Sequence, residues 1–171
     1  MNRIIASAFA FTCLLAMNAH AQGPSAAAEV KQAYTRIKTN FQKAAEKMPD
    51  DAYSFQPTPE IRTFAALVAH VADSQMRTCS GLNGAMKQGG AGSKTSKADL
   101  VAALKESFDE CDKAYDSLTD SNAMQGVGNG KMQRTRLGAL WGNVVHTNEE
   151  YGYIAVYMRL KKVVPPSSEG R

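Results

Sequence analysis

The chain is poor in the residue types that most often carry chemistry: its 171 residues include three histidines, three cysteines and one tryptophan. The cysteines form no C-x-x-C pair and no C-x-x-C-H motif, which argues against thioredoxin-like exchange and against covalent attachment of c-type haem. Beyond the N-terminal segment, no apolar run approaches the roughly 18 to 20 residues that a membrane-spanning helix needs. The chemistry of this protein must therefore rest on a small number of side chains.

The chain also lacks a dense block of basic residues. Its 20 Lys and Arg residues outnumber 16 Asp and Glu residues, which gives a net charge of +4. The basic residues are scattered and are not interleaved with aromatic residues, unlike those of most nucleic-acid-binding surfaces. We therefore expect no nucleic-acid partner.

The N-terminus has the pattern of a secretory signal peptide. An apolar run from Ile4 to Met17 follows Met-Asn-Arg, and Ala19-His20-Ala21 then provides a small-x-small cleavage site. The run is too short to span a bilayer. We expect residues 1–21 to be removed and residues 22–171 to form a single domain, periplasmic or secreted, with no membrane partner.

Two cysteines, Cys79 and Cys111, remain after the leader. An exported protein folds where disulfides persist, so the two residues are candidates for one structural bond. Two buried free thiols are the alternative, and the spacing alone does not decide between them.

Four segments carry apolar residues at three- and four-residue steps, the pattern of amphipathic helices. They cover residues 25–48, 63–84, 96–118 and 135–161, and the third opens on a Ser96-x-x-Asp99 capping box. The connectors are rich in Gly, Pro, Ser and Asn and run to about 14 to 16 residues, so at least one can cross the end of the bundle. No strand-like alternation is present. The sequence predicts an all-α fold, a four-helix bundle with long connectors.

Two histidines of the mature chain, His70 and His146, lie within apolar helical patterns, where a solvated imidazole is unusual. Glu150 follows His146 by one helical turn, so both side chains share one face of the fourth helix. Three ligands that include His70 from a second helix would hold a metal ion with coordination positions to spare, which is typical of catalytic sites. The alternative is a hydrogen-bonded helical pair beside a core histidine.

The fourth helix has two apolar sides. Leu137, Trp141 and Val144 lie on one of them, and Tyr153 and Tyr157 accompany the candidate ligands on the other. The small residues Ala139, Gly142 and Asn143 precede His146 on the second side and predict unfilled space beside it, where a ligand can bind.

No general base stands out in the sequence. Glu149, Asp73 and Tyr153 are the catalytic candidates, since each lies within one or two helical turns of a candidate ligand. Asp73 follows His70 by three residues and is also placed to orient its imidazole ring. Glu149, three residues after His146, competes with Glu150 as a ligand.

Four stretches resemble one known family. They are residues 62–73 (RTFAALVAHVAD), residues 146–152 (HTNEEYG), the Phe55-x-Pro57-x-Pro59 connector and the C-terminal VPPSS at 164–168. Together they resemble the DinB-like (damage-inducible, YfiT-like) family over nearly the whole mature chain. The resemblance implies a four-helix bundle that binds a divalent metal, often nickel or zinc, through one histidine on the second helix and a His-x-x-x-His pair on the last.

His70 and His146 match the family's first two ligands, and Glu150 stands where the third histidine would be. A carboxylate remains a competent ligand, because two histidines with one carboxylate serve both zinc enzymes and non-haem iron proteins. We therefore expect a divalent cation, Zn, Ni or Fe, bound by His70, His146 and Glu150.

The resemblance implies a metal-dependent enzyme of transferase or hydrolase type, in which the ion activates a thiol or a water molecule against an unidentified small-molecule substrate. The alternative is a non-catalytic bundle with a degenerate site that binds a small ligand or a protein partner. A haem-binding bundle is a third and weaker alternative, because helix one offers no well-placed methionine ligand. A homodimer is a further expectation, with apolar positions on helix one as its first candidate surface.

Overall fold

The computed structural model describes residues 23–170, with the side chain of Met132 excepted. The predicted signal peptide therefore lies outside the described residues. Four helices account for most of the fold: α1 (Ala26–Lys47), α2 (Phe64–Leu82), α3 (Lys97–Asp116) and α4 (Arg136–Leu160). This confirms the predicted four-helix bundle. No helix among the described residues combines the length and apolar character needed to cross a membrane.

Each of the four helices begins after a Ser or Thr residue. The side-chain oxygen of Ser25, Thr63, Ser96 or Thr135 accepts a hydrogen bond from the backbone N–H three residues later. Such a cap satisfies one of the amide groups that a helix start leaves without a partner, and it typically contributes about 1 kcal/mol. The predicted starts of the second, third and fourth helices are thereby confirmed.

The four helices form two side-by-side pairs, α1 with α4 and α2 with α3. The helices of the second pair are parallel. Lys97 at the start of α3 contacts Asp50, which precedes α2 in the chain, while Cys79 and Cys111 join the two helices near their C-terminal ends. The other pair is parallel as well, because Lys47 at the end of α1 donates to the carbonyl of Val164 just beyond α4. Helix α2 also contacts α4, and α1 also contacts α3, so the consecutive helices α1 and α2 occupy opposite corners of the bundle.

A parallel α2–α3 pair requires the connector between the two helices to return along α2. Asp73 fixes this segment, since its carboxylate accepts from the amides of Ala91 (2.7 Å) and Gly92 (3.0 Å). Gly89 passes so close that a Cβ placed there would lie 2.6 Å from the Cα of Asp73. The prediction that Asp73 orients the ring of His70 is wrong, because its hydrogen bonds go to this connector.

The centre of the bundle combines apolar packing with a buried polar chain and a disulfide. Cys79 and Cys111 are fully buried and bonded to each other, as one of the two sequence alternatives predicted. Gln75 lies beside them and donates to Thr147 of α4 (2.9 Å), so the polar side chain of a buried residue is satisfied. Around these polar residues and the disulfide pack large apolar side chains: Phe41, Phe64, Leu100, Leu104, Phe108, Leu140, Ile154 and Met158.

The connector between α3 and α4 contains a short antiparallel hairpin that the sequence did not predict. Gly126–Val127 pairs with Arg134–Thr135. Two residues per strand are too few to produce a recognisable alternation of apolar and polar positions. The hairpin leads directly into α4, because Arg136 donates its backbone N–H to the carbonyl of Gln125.

Candidate metal centre

The structure brings His70 of α2 together with His146 and Glu150 of α4. The Nε2 atoms of the two histidines are 3.1 Å apart. Glu150 Oε1 lies 3.6 Å from Nε2 of His70 and 3.7 Å from Nε2 of His146. His70 and His146 are 76 residues apart in sequence. Their Nε2 atoms and one oxygen of Glu150 nevertheless converge on one point.

The separations suit a small divalent ion. Ligands bound at about 2.0 to 2.1 Å in tetrahedral geometry lie about 3.3 Å from one another, and the three observed distances of 3.1, 3.6 and 3.7 Å bracket that value. The second oxygen of Glu150, Oε2, is buried and meets no hydrogen-bond partner among the described residues. A buried carboxylate with so little hydrogen bonding is costly unless a cation compensates it. The donor set therefore fits a divalent cation.

The cluster opens to solvent on one side. The side chain of Glu150 is 7% exposed, whereas those of His70 and His146 are 32% and 30% exposed. Partial burial, together with the positive charge of Arg62, holds the pKa of His70 below its usual range, and the negative charge of Glu150 opposes this shift. A neutral imidazole is the form that binds metals. The accessible imidazole edges leave room for additional ligands from solution.

Two hydrogen bonds join α4 to α2 and to the segment just before α2, one on either side of the cluster. Gln75 donates to Thr147 behind it, and the hydroxyl of Tyr157 donates to the backbone carbonyl of Arg62 at 2.6 Å. The distance between the two helices is thereby fixed independently of the candidate ligands. His146 Nδ1, by contrast, is buried without a partner among the described residues, so helix packing rather than a second hydrogen bond positions this ring.

An arginine occupies part of the space predicted beside His146. The Nη1 atom of Arg134 lies 3.0 Å from the position that a Cβ of Gly142 would take, and Gly142 precedes His146 by one helical turn on the same face. Asn143, predicted to border the same gap, is buried and accepts from the hydroxyl of Tyr115. The expectation of unfilled space is therefore corrected: the small residue Gly142 accommodates a guanidinium group. The sequence pattern does not reveal this role of Arg134, because the residue precedes the helix.

The remaining catalytic candidates lie on exposed positions of α4. Tyr153 is half-exposed and its hydroxyl reaches Glu149 at 3.4 Å. Glu150 rather than Glu149 supplies the carboxylate of the cluster. Catalytic roles for Glu149 and Tyr153 stay predictions, and Asp73 is engaged by the α2–α3 connector.

Solved structures with a similar fold include DinB-like proteins. One from Bacillus cereus superposes with a TM-score of 0.68 at 18% identity, covering 80% of this chain and 93% of that chain. YfiT from Bacillus subtilis has a TM-score of 0.63 at 19% identity, covering 80% and 88%; it is described as a probable metal-dependent hydrolase with an unusual four-helix bundle topology. The Bacillus subtilis DinB-like protein YjoA gives 0.63 at 18% identity, covering 78% and 92%. These TM-scores, at identities below 20%, show a shared fold.

The family itself follows from a separate comparison. A search of curated proteins returns no match. The family model described as the DinB superfamily, however, matches residues 33–154, which include all three residues of the cluster. The chain belongs to the DinB superfamily.

Proposed function

We propose that this protein is a divalent-metal-dependent enzyme of hydrolase or transferase type, with His70, His146 and Glu150 as the metal ligands. The observation that carries the proposal is the convergence of three ligand atoms, Nε2 of His70, Nε2 of His146 and Oε1 of Glu150, which lie 3.1 to 3.7 Å from one another. The other oxygen of the buried Glu150 carboxylate, Oε2, meets no hydrogen-bond partner among the described residues. A degenerate site predicts ligands that are separated or engaged elsewhere. The description of YfiT as a probable metal-dependent hydrolase supports the same chemistry.

A divalent ion at this position would act as a Lewis acid and would lower the pKa of a coordinated water or thiol. The protein contributes the geometry for this chemistry. His70 and His146 present Nε2 as neutral donors, and Glu150 adds one negative charge where a third histidine would add none. The site therefore has a lower residual positive charge than a three-histidine site, and its carboxylate oxygen weakens the preference for soft ions.

Substrate would approach from the solvent side, across the exposed edges of the two imidazoles. The guanidinium of Arg134 lies beside Gly142, which precedes His146 by one helical turn, and it would attract an anionic group of the substrate. Glu149 and Tyr153 are near enough along α4 to be tested as proton-transfer groups. Whether water or a thiol is the nucleophile follows from product analysis with and without added low-molecular-weight thiol.

Metal analysis of protein purified without a polyhistidine tag tests the ligand assignment. We expect close to one divalent ion per chain in the wild type and a large loss in Glu150→Gln, which keeps the size of the side chain but removes its charge. Glu149→Gln is the matched control, since it makes the same change one residue away on an exposed position. Equal metal content in both variants, or metal-free wild type after incubation with Zn, Ni and Fe, would contradict the proposal.

We further propose that the mature protein is exported. The support is the sequence pattern of residues 1–21 and a disulfide of the kind that persists in oxidising compartments. Mass spectrometry of the protein isolated from the periplasm or the medium should find Gln22 at the N-terminus. Recovery of the uncleaved chain from the cytoplasm would refute export.

A further inference from the structure

The outward face of α4 is apolar, although nothing in the described part of the chain covers it. Its large apolar residues are each between 48% and 56% exposed: Trp141, Val145, Tyr153, Val156 and Leu160. They follow one another at intervals of three, four or eight residues and so form one continuous stripe along the helix. Helix α4 is thus apolar both toward the core and toward solvent, whereas a surface helix is ordinarily polar on its outer side.

Gly152 lies in the middle of this stripe, and no contact in the described part of the chain requires a glycine there. A Cβ added there would meet no atom within 4 Å. Glycine in a helix interior costs about 1 kcal/mol relative to alanine, so an exposed position would favour almost any other residue. A small residue at the centre of an apolar helix face is what close approach of a second helix requires.

We propose that this face of α4 binds the same face of a second copy, which makes the protein a homodimer with two-fold symmetry. A two-fold interface must be self-complementary, because each residue meets its counterpart in reciprocal fashion. If two α4 helices pack antiparallel about an axis between residues 150 and 151, Trp141 faces Leu160 of the second copy, and Val145 faces Val156. The same register places Gly152 opposite Glu149, where the absence of a side chain gives the carboxylate room.

The area of the stripe suits such a dimer. Half of a large aromatic side chain amounts to about 100 Å², and the two aromatic and three aliphatic residues together offer roughly 400 Å² per chain. A standard interface buries about 800 Å² per partner, of which somewhat more than half is apolar. The stripe provides most of that apolar share, and neighbouring polar residues complete the rim.

The charges favour a second copy over a membrane surface. Between Trp141 and Leu160 the exposed charged residues of α4 are Glu149 and Arg159, one of each sign, and the exposed Lys161 and Lys162 lie just beyond the stripe. A helix that binds anionic lipid carries several Lys or Arg residues beside its apolar side. The face also differs from the surface on helix one that sequence analysis favoured, because α1 contributes no large exposed apolar residue.

Oligomeric state and tryptophan fluorescence test the proposal on the same samples. Trp141 is the one tryptophan of the chain, so its emission reports directly on this face. Sedimentation equilibrium should show a dimer, and dilution should shift the emission maximum to longer wavelength as Trp141 becomes exposed. Both readouts are independent of metal binding, so their outcome does not depend on the proposed enzymatic function.

Val156→Glu is the variant that separates this interface from any other. It should raise the dimer dissociation constant at least about 100-fold, because a carboxylate would be buried opposite Val145 without a partner. Met124→Glu is the matched control: it adds the same charge at a more exposed apolar residue outside α4 and should leave the dimer intact. Circular dichroism verifies that both variants fold. A wild-type protein that is monomeric at all accessible concentrations, a Val156→Glu dimer as tight as the control, or stripe-dependent binding to anionic vesicles in place of dimerisation would overturn the proposal.

Discussion

Reduction of the disulfide between Cys79 and Cys111 should destabilise the protein by an amount that the loop length sets. The two cysteines are 32 residues apart in sequence. In the chain-entropy treatment, a bond that closes a loop of about this length lowers the entropy of the unfolded chain and contributes about 3.7 kcal/mol at 25 °C. This is a large share of the roughly 5 to 15 kcal/mol by which most domains are stable. In the reduced protein a Cys111 thiol would have a hydrogen-bond acceptor, because the Oε1 atom of Gln75 lies 2.8 Å from its sulfur.

Urea unfolding of the oxidised protein and of protein reduced in denaturant and refolded with reductant gives the two free energies. Both sulfurs are fully buried, so reductant added to the native oxidised protein should act slowly. The Cys79→Ala/Cys111→Ala variant is the control, because its stability must not respond to reductant. A difference between oxidised and reduced wild type below about 1 kcal/mol would refute the loop-entropy reasoning.

Three further predictions concern substitutions of single residues. Hydrogen bonds from Asn83, Lys87 and Lys113 lower the pKa of Glu110 to about 2 from the ordinary 4.5. The ionised carboxylate therefore stabilises the folded state above pH 4.5, and this contribution is lost as the pH falls toward 2. Glu110→Gln should accordingly make the free energy of unfolding depend less on pH in the acid range. Gly89→Ala should lower the unfolding midpoint by several degrees in a thermal melt, because a Cβ would meet the backbone of Asp73. Arg134→Gln should raise KM for anionic substrates about tenfold or more with little change for neutral ones, and equal effects on both would exclude an electrostatic role.

The helices were predictable because their signals are local. Ser96 and Thr63 mark their own helix starts through hydrogen bonds that span three residues, and the apolar periodicity needs no knowledge of neighbouring elements. The convergence of His146 and Glu150 likewise follows from one helical turn. The place of His70 in the same cluster was a hypothesis from its position in a second helix that the family resemblance supported, because its partner His146 lies 76 residues away and no local pattern joins them.

Features set by tertiary packing were not predictable in this way. The return of the α2–α3 connector along α2 occupies the carboxylate of Asp73, and no local pattern distinguishes that role from orientation of His70. Trp141 belongs to an apolar side of α4 in the sequence, but periodicity cannot tell a face covered by the chain from a face left exposed. Arg134 reaches Gly142 from a hairpin too short to be detected.

The arrangement of the helices as two parallel pairs has a consequence for how the molecule opens. The disulfide lies within the α2–α3 pair, whereas the His70, His146 and Glu150 cluster lies between that pair and the pair formed by α1 and α4. An ion bound by the cluster would therefore link the α2–α3 pair to the α1–α4 pair and oppose their separation. Metal binding should then slow amide hydrogen exchange at the interface between the two helix pairs, whereas exchange within each pair would change little.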